Sequence, residues 1–273
     1  MYESYWQLEQ KPFENRADPR FYYPGESHQA ALLKLRYAVE NRRDAALLGG
    51  PAGSGKTMLI GMLKNTLGNE YSPFVHLVFP QMPVDQLMGY LADRLLGSNN
   101  GAADHDLRQT VRRIEGFLGE NVQKECHAVV VIDEAHLLDD RRSLEAIRLL
   151  SNFEFDGRPG LTLLLSGQPG LLPILDRTPQ LEERLGVKCL LRPFSRQETA
   201  EYVTHRLKAA GVQRAIFQPE ALQTLHELTH GVARRINRLC DLALLIGYAE
   251  AQREITPVQL ESVCRELVTV APE

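Results

Sequence analysis

Two short stretches of the chain carry residue types whose spacing suits work on a polyphosphate. The first, Gly50-Pro51-Ala52-Gly53-Ser54-Gly55-Lys56-Thr57, fits the pattern G-x-x-x-x-G-K-Ser/Thr. Glycines are needed there because the loop must turn backbone N–H groups inward around phosphate oxygens, in conformations that a Cβ would obstruct. A helix opening behind the loop, through Met58, would present its unpaired amides and positive dipole end to the same anion. Lys56 is placed to reach the β- and γ-phosphates, and the Thr57 hydroxyl to ligate magnesium. The second stretch is Val129-Val130-Val131-Ile132-Asp133-Glu134-Ala135-His136, an apolar run ending in two adjacent carboxylates. An Asp at the carboxyl end of a strand beside a phosphate loop sits where the metal belongs, so Asp133 is the expected magnesium residue. Glu134 is then in position to orient a water against the γ-phosphorus and accept its proton. A run ending in Asp-Glu is weak alone; the phosphate loop 77 positions earlier makes it specific.

The sequence has no Asn-Lys-x-Asp stretch of the kind that reads guanine, so ATP is the expected nucleotide. Tyr22 and Tyr23 have two readings, stacking on adenine or packing of the segment that carries them. His136 is read as capping or orienting a loop.

The elements that must position these residues follow from hydrophobic patterning. The first 25 residues, rich in aromatics and proline, read as an ordered extended arm laid on a domain surface, since so many aromatics would be wasted in a disordered tail. A helix is predicted over 26–40, with Ala30, Leu33 and Tyr37 on its apolar face and Ser27 as its cap. Short apolar runs at 45–48, 74–79, 128–132 and 161–166 alternate with helical stretches after the phosphate loop, at 84–96, 107–122 and 143–153, and a polar loop spans 97–106. A last strand is predicted at 187–191. Continuous apolar runs between helices are those of parallel strands covered on both faces. Past Pro193 the pattern is helical: Ser195 with Glu198 forms a capping box, and Pro219 and Thr256-Pro257 mark further helix starts. The expected plan is an arm (1–25), an α/β core with a central parallel sheet (26–193) and a smaller all-helical domain (194–273).

At 273 residues the chain can bury two cores, and 44% hydrophobic with 24% charged residues excludes a disordered or fibrous class. A net charge of −4 supplies no global attraction for nucleic acid, although a local basic face is compatible with it. Cys126, Cys189, Cys240 and Cys264 are scattered, without metal-ligand spacing, and read as free thiols. The opening lacks the basic and apolar regions of a signal peptide, and no apolar stretch approaches the roughly 20 residues that span a bilayer. No membrane span and a cytoplasmic location are expected.

The combination of GPAGSGKT, VVVIDEAH, LLLSGQP (163–169) and GVARRINRL (231–239), with an opening that runs through Leu8 to Pro12-Phe13, the DPRFYY segment and SHQAAL, resembles the AAA+ ATPases of the general secretion pathway protein A (ExeA) type. The resemblance covers nearly the whole chain. It implies a P-loop NTPase core of AAA+ plan followed by a helical lid. It also implies a polar sensor at the tip of the fourth core strand, matching Gln168 with Ser166 as second choice, and a lid arginine that reaches back to the γ-phosphate, matching Arg234 with Arg235 beside it. An arginine finger acting on a neighbouring subunit's nucleotide would be Arg184, with Arg177 as runner-up. One departure is the Val232-Ala233-Arg234 order, which lacks the proline that usually precedes the lid arginine and bears on how that helix starts.

The resemblance therefore implies an oligomerising ATP switch, with nucleotide at subunit interfaces, that drives or regulates an unidentified protein partner, with secretion or cell-envelope assembly as the process it suggests. The alternative is a DNA-associated ATPase similar to transposition target-selection proteins, in which Arg42-Arg43, Arg112-Arg113 and Arg141-Arg142 touch phosphates. A scaffold with little hydrolysis is disfavoured by the intact Lys56, Asp133 and Glu134.

Overall fold

The runs at 45–49, 128–132 and 161–167 are buried at every position, as strands covered on both faces must be. The computed structural model describes residues 1–97, 106–138 and 141–269. In chain order its elements are α1 (Glu3–Trp6), α2 (Glu26–Glu40), β1 (Ala45–Gly49), α3 (Lys56–Thr66), β2 (Phe74–Leu77), α4 (Val84–Leu96), α5 (Leu107–Gln123), β3 (Ala128–Ile132), α6 (Arg141–Leu150), β4 (Glu154–Phe155), β5 (Arg158–Pro159), β6 (Leu161–Gly167), α7 (Leu171–Asp176), α8 (Pro179–Glu182), β7 (Leu185–Leu190), α9 (Arg196–Ala209), α10 (Pro219–Thr229), α11 (Ala233–Ala249) and α12 (Pro257–Thr269). Most of the expected polar loop, residues 98–105, lies outside the described residues, as do the last four of the expected helical domain, 270–273.

The chain divides into two compact units. One comprises Gln29–Pro51 and Met62–Leu191 and holds a five-stranded sheet in the order β2-β3-β6-β1-β7, parallel throughout. Leu87 and Leu91 of α4, Ile114 and Leu118 of α5, and Leu144 and Ile147 of α6 join Val130, Leu163 and Leu165 in one apolar cluster. Because the strands are parallel, their carboxyl ends share one edge. Gly50, Asp133 and Gln168 follow β1, β3 and β6 at that edge, while Asp44 and Arg184 precede β1 and β7 at the other.

Several expectations are corrected here. Helix α2 has the predicted span, but Ala31, Leu35, Ala38 and Val39 form its buried face, whereas the three residues expected there, Ala30, Leu33 and Tyr37, are all exposed. The misreading arose because Leu33 and Tyr37 are larger than the alanines that allow close approach to the sheet. Ser27 lies inside the first turn and does not start the helix. The hairpin β4–β5 and the short helices α7 and α8 carry too few residues to show a period, and they were not anticipated.

The other unit comprises Met1–His28, Ala52–Gly61 and Arg192–Glu273. The N-terminal segment is part of its interior and is not laid on a surface: Trp6 and Phe13 are buried in one cluster with Val203, Leu225, Ile236 and Leu244. Trp6 Nε1 donates to the Leu244 carbonyl at 2.8 Å, which satisfies the one polar atom of a fully buried indole. Arg206, itself buried, donates to the carbonyls of Pro12 at 2.5 Å and Glu14 at 3.0 Å while its guanidinium stacks over Phe21. The segment is short of regular structure, so its backbone carbonyls need such a donor. Tyr23 packs its ring edge against Phe194 and Tyr202, and its hydroxyl donates to Glu201 at 2.5 Å, which realises the packing reading of that residue.

The predicted capping box at the start of α9 is present. Ser195 Oγ accepts from Glu198 N–H at 3.2 Å, and Glu198 accepts from Ser195 N–H at 2.8 Å. The same carboxylate accepts from Glu26 N–H at 3.0 Å and from Arg192 at 2.6 Å. Burial alone would raise the Glu198 pKa, yet the Ser195 amide, the Arg192 guanidinium and the Glu26 amide hold it down to about 2. A carboxyl depressed in the folded state contributes stability that is complete above its unfolded value and is lost as pH falls through the folded one. With allowance for solvent screening of a group this accessible, Glu198→Gln is expected to cost about 1–2 kcal/mol at neutral pH and to remove that part of the acid slope lying between about pH 4.5 and 2. Denaturant unfolding across that window measures it, and an unchanged slope would contradict the assignment.

Candidate functional site

The phosphate loop departs from β1 as a strand-loop-helix. Gly50 N–H donates to the Gly167 carbonyl at 3.2 Å, which ties the loop's first residue to the tip of the neighbouring strand β6. Gly53 and Gly55 take φ of 75° and 96°, the left-handed region that a residue with a side chain seldom enters. Space enforces the same choice at Gly53, where a Cβ would stand 2.6 Å from the Cβ of Arg234. Lys56 begins α3 and is 5% exposed, while Thr57 beside it is exposed. Residues 52 to 58 belong with Arg234 in the helical unit, and Arg234 N–H donates to the Gly53 carbonyl at 3.2 Å. Arg234 and Arg235 occupy the first turn of α11 and are exposed. Val232 at the cap position supplies no side-chain hydrogen bond.

The second group lies in the sheet unit. Asp133, 3% exposed, follows β3, and its backbone N–H donates to the Leu77 carbonyl at 2.8 Å. Its Oδ1 accepts from Ser166 Oγ at 2.7 Å and from Glu134 N–H at 3.0 Å, and Oδ2 lies 3.3 Å from His76 Nε2. A buried carboxylate requires such donors to remain ionised. Glu134 has φ 51° and ψ 35°, a left-handed conformation uncommon for a residue with a side chain. This turn separates the two acids: Asp133 stays in the buried network and Glu134 reaches a partly exposed position, 3.4 Å from His136 Nδ1. His136 Nδ1 is also 3.4 Å from Gln168 N–H, and its Nε2 is 3.0 Å from the Gln168 side-chain amide. Nδ1 can donate to the carboxylate or accept from the amide, one at a time.

Gly50, Asp133, Glu134 and Gln168 are thus brought to one edge of the sheet. Arg184 is not. It donates to Asp44 at 3.2 Å and to Ser151 Oγ at 3.0 Å, and it pairs with Asn152, at the amino ends of the strands. The strand length of five to seven residues sets it about 17 Å or more from the carboxyl edge. Its partners are not the neighbouring acids Glu182 and Glu183. The runner-up Arg177 is exposed at the end of α7. Ser166, second choice for the sensor, is instead the buried hydroxyl that serves Asp133. Sequence reading missed His76, although a histidine within the apolar run of β2, in register with Val131 two residues before Asp133, was a signal available to it.

The donor chemistry fits a hard divalent cation. The Asp133 carboxylate is the ligand type that magnesium takes, with phosphate oxygens and water able to complete a shell. Among the described residues no cluster of three or more His, Cys, Asp or Glu offers a cation a site of its own. Among those residues, too, no helix is long and apolar enough to cross a membrane.

Comparison with known proteins bears on the family and the fold. A family model described as an AAA domain matches residues 39–175. General secretion pathway protein A of Aeromonas hydrophila is 33% identical over 277 aligned residues, which cover all of this chain and 50% of that protein, so the chain spans about half the length of the curated relative it matches. Among solved structures, the fold is similar to Cdc6p of Pyrobaculum aerophilum, at a TM-score of 0.74 and 17% identity over 96% of this chain and 74% of that one. It is also similar to the ORC2 protein of Aeropyrum pernix, solved as ADPNP and ADP complexes, at a TM-score of 0.72 and 16% identity over 94% and 72%.

The Ser166–Asp133 contact can be measured directly. Ser166→Ala removes a donor from a buried carboxylate and is expected to destabilise the fold by about 1–3 kcal/mol. In a double-mutant cycle with Asp133→Asn the two changes should couple by about 1 kcal/mol or more. Additive losses in denaturant unfolding would show that the hydroxyl does not serve the carboxylate.

Proposed function

Given that the chain belongs to the AAA domain family, related over its whole length to part of general secretion pathway protein A, we propose that it is a magnesium-dependent ATP hydrolase acting as an oligomerising switch. In this reading the amides of Gly50 to Met58 and the Lys56 ammonium bind the phosphates, and the Thr57 hydroxyl and Asp133 hold magnesium. The cation would neutralise charge on the β- and γ-phosphate oxygens. Glu134 leaves its contact with His136 to orient the attacking water and accept its proton. Gln168, at the tip of β6, senses the γ-phosphate or the water, and Arg234 reaches the γ-phosphate from the helical lid. The functional bodies are the ATPase core (26–193) and the lid (194–273), with the N-terminal segment (1–25) built into the interior of the latter.

The observation that carries this reading is the arrangement of the sheet edge. Gly50, where the phosphate loop departs, is bonded to the β6 tip, and Asp133 follows the strand on the other side of β6. A buried, fully engaged acid and a separated, partly exposed one suit two different tasks, cation holding and proton acceptance.

Arg184 stands too far from that edge to serve its own chain's nucleotide. With Arg42, Arg43 and Arg148 it lines a concavity that also includes Asp44 and Glu183. Arg148 is paired with Glu145 at 2.7 Å and Arg184 with Asp44 at 3.2 Å, so a finger acting on a neighbouring subunit's triphosphate would exchange the acid partner of Arg184 for phosphate oxygens. Of the basic pairs that the DNA-associated reading calls on, Arg113 is 3.6 Å from Asp93 and Arg43 lies over the Tyr37 ring. The reading of a protein partner driven from the cytoplasm is therefore preferred over the DNA-associated one.

Phosphate release and nucleotide binding test the assignment together. Lys56→Ala should abolish ATP binding. Glu134→Gln should retain binding while kcat falls by about a hundredfold or more, within the range seen for general-base removal. Equal rates of phosphate release from wild type and Glu134→Gln would refute the role given to that carboxylate.

A further inference from the structure

Histidine 28 is a buried ring with no part in the chemistry assigned above. It is 4% exposed, lies in the first turn of α2 and belongs to the helical unit, as does the phosphate loop from Ala52 onward. Its Nε2 stands 2.8 Å from the Ser54 carbonyl oxygen. A carbonyl only accepts, so Nε2 carries the proton and the neutral ring leaves Nδ1 as an acceptor, 3.5 Å from Ser27 Oγ. Burial lowers the pKa of the ring, which keeps it neutral. The ring also lies against Gly55, where a Cβ would be 3.3 Å from Nε2, and against Phe194, at 5.2 Å between centroids. Phe194 in turn donates its N–H to the Gly231 carbonyl at 2.9 Å, at the entrance to α11.

The preceding carbonyl in the loop, that of Gly53, accepts from Arg234 N–H at 3.2 Å. A first-turn N–H of a helix has no intrahelical acceptor. Val232 supplies no cap, so for this donor the phosphate loop itself takes the cap's place. Two consecutive loop carbonyls are thus held by the helical unit, one through a side chain and one through the start of the helix that carries the candidate lid arginine.

We propose that His28 is a positioning residue for nucleotide binding: by donating to the Ser54 carbonyl it fixes the peptide groups ahead of Lys56 in the orientation that presents their N–H groups to phosphate, and it locks the loop to the entrance of α11. The proposal rests on the phosphate-binding role given to the loop. Its consequence is that nucleotide affinity and lid position are coupled through the carbonyls of Gly53 and Ser54.

The side-chain series at position 28 separates this role from packing. A glutamine places its amide nitrogen where Nε2 stands, whereas an asparagine reaches only to Nδ1. His28→Ala and His28→Asn are expected to weaken ADP binding, followed by fluorescence titration of the full chain, by about tenfold, the loss of one buried hydrogen bond. His28→Gln should stay within about threefold of wild type. Equal impairment of Gln and Asn, or ADP binding by Asn within twofold of wild type, would overturn the proposal, and this pair decides even if His28→Ala does not fold. Lys56→Ala is the control for the parent reading: if it binds ADP as wild type does, the loop assignment fails and not the role of His28. A nucleotide-independent readout is the ring nitrogen spectrum of the wild-type protein, expected to show His28 protonated at Nε2. A bare Nε2 would overturn the proposal whatever the titrations give.

Discussion

A peptide group that turns its N–H toward one side turns its C=O toward the other, and much of this molecule can be understood from that constraint. A loop built to offer amides to an anion exposes carbonyls on its far side, and in a folded protein each of these needs a donor or water. Here the Gly53 and Ser54 carbonyls receive Arg234 N–H and His28 Nε2–H. The two glycines with positive φ supply the backbone angles, and the absence of a side chain at Gly53 leaves room for Arg234. In the proposed function, the anion-binding surface and the docking point for a helix start are two faces of the same few peptide groups.

At the sheet edge a similar economy separates two adjacent acids. The parallel strands end together, so the residues after β1, β3 and β6 are neighbours without any further device. Asp133 stays in line with its strand and is engaged by Ser166, the Glu134 amide and His76. The left-handed turn at Glu134 then sends the next side chain elsewhere, toward His136 and Gln168. Strain at one residue is the cost of giving two neighbouring carboxylates different surroundings.

The sequence made the glycine-rich loop, the acid pair, the positions of the buried strands along the chain and the capping box of α9 readable, because each rests on local rules: glycine geometry, an unbroken apolar run, a Ser-x-x-Glu spacing. What it hid depends on tertiary partners. The N-terminal aromatics looked like a surface arm, yet Trp6 and Phe13 complete the core of the helical unit, and the donor that holds the backbone around them is Arg206, nearly 200 positions away. On α2 the large residues Leu33 and Tyr37 suggested the wrong face, because the buried one includes small alanines. His28 could not be assigned from spacing at all, since its partner Ser54 is brought to it only by the fold, and for His76 the apolar run marked an unusual position without naming Asp133 as its partner.

The central claim is that the Lys56 ammonium and the Asp133 carboxylate serve one nucleotide, and a crystal structure of the full chain with magnesium and a non-hydrolysable ATP analogue tests it most directly. The account requires Lys56 Nζ within hydrogen-bond reach of β- and γ-phosphate oxygens. It also requires a cation beside Thr57 Oγ1, held by Asp133 directly or through one water. Phosphates bound away from Lys56, or a cation that neither Thr57 nor Asp133 approaches, would contradict it.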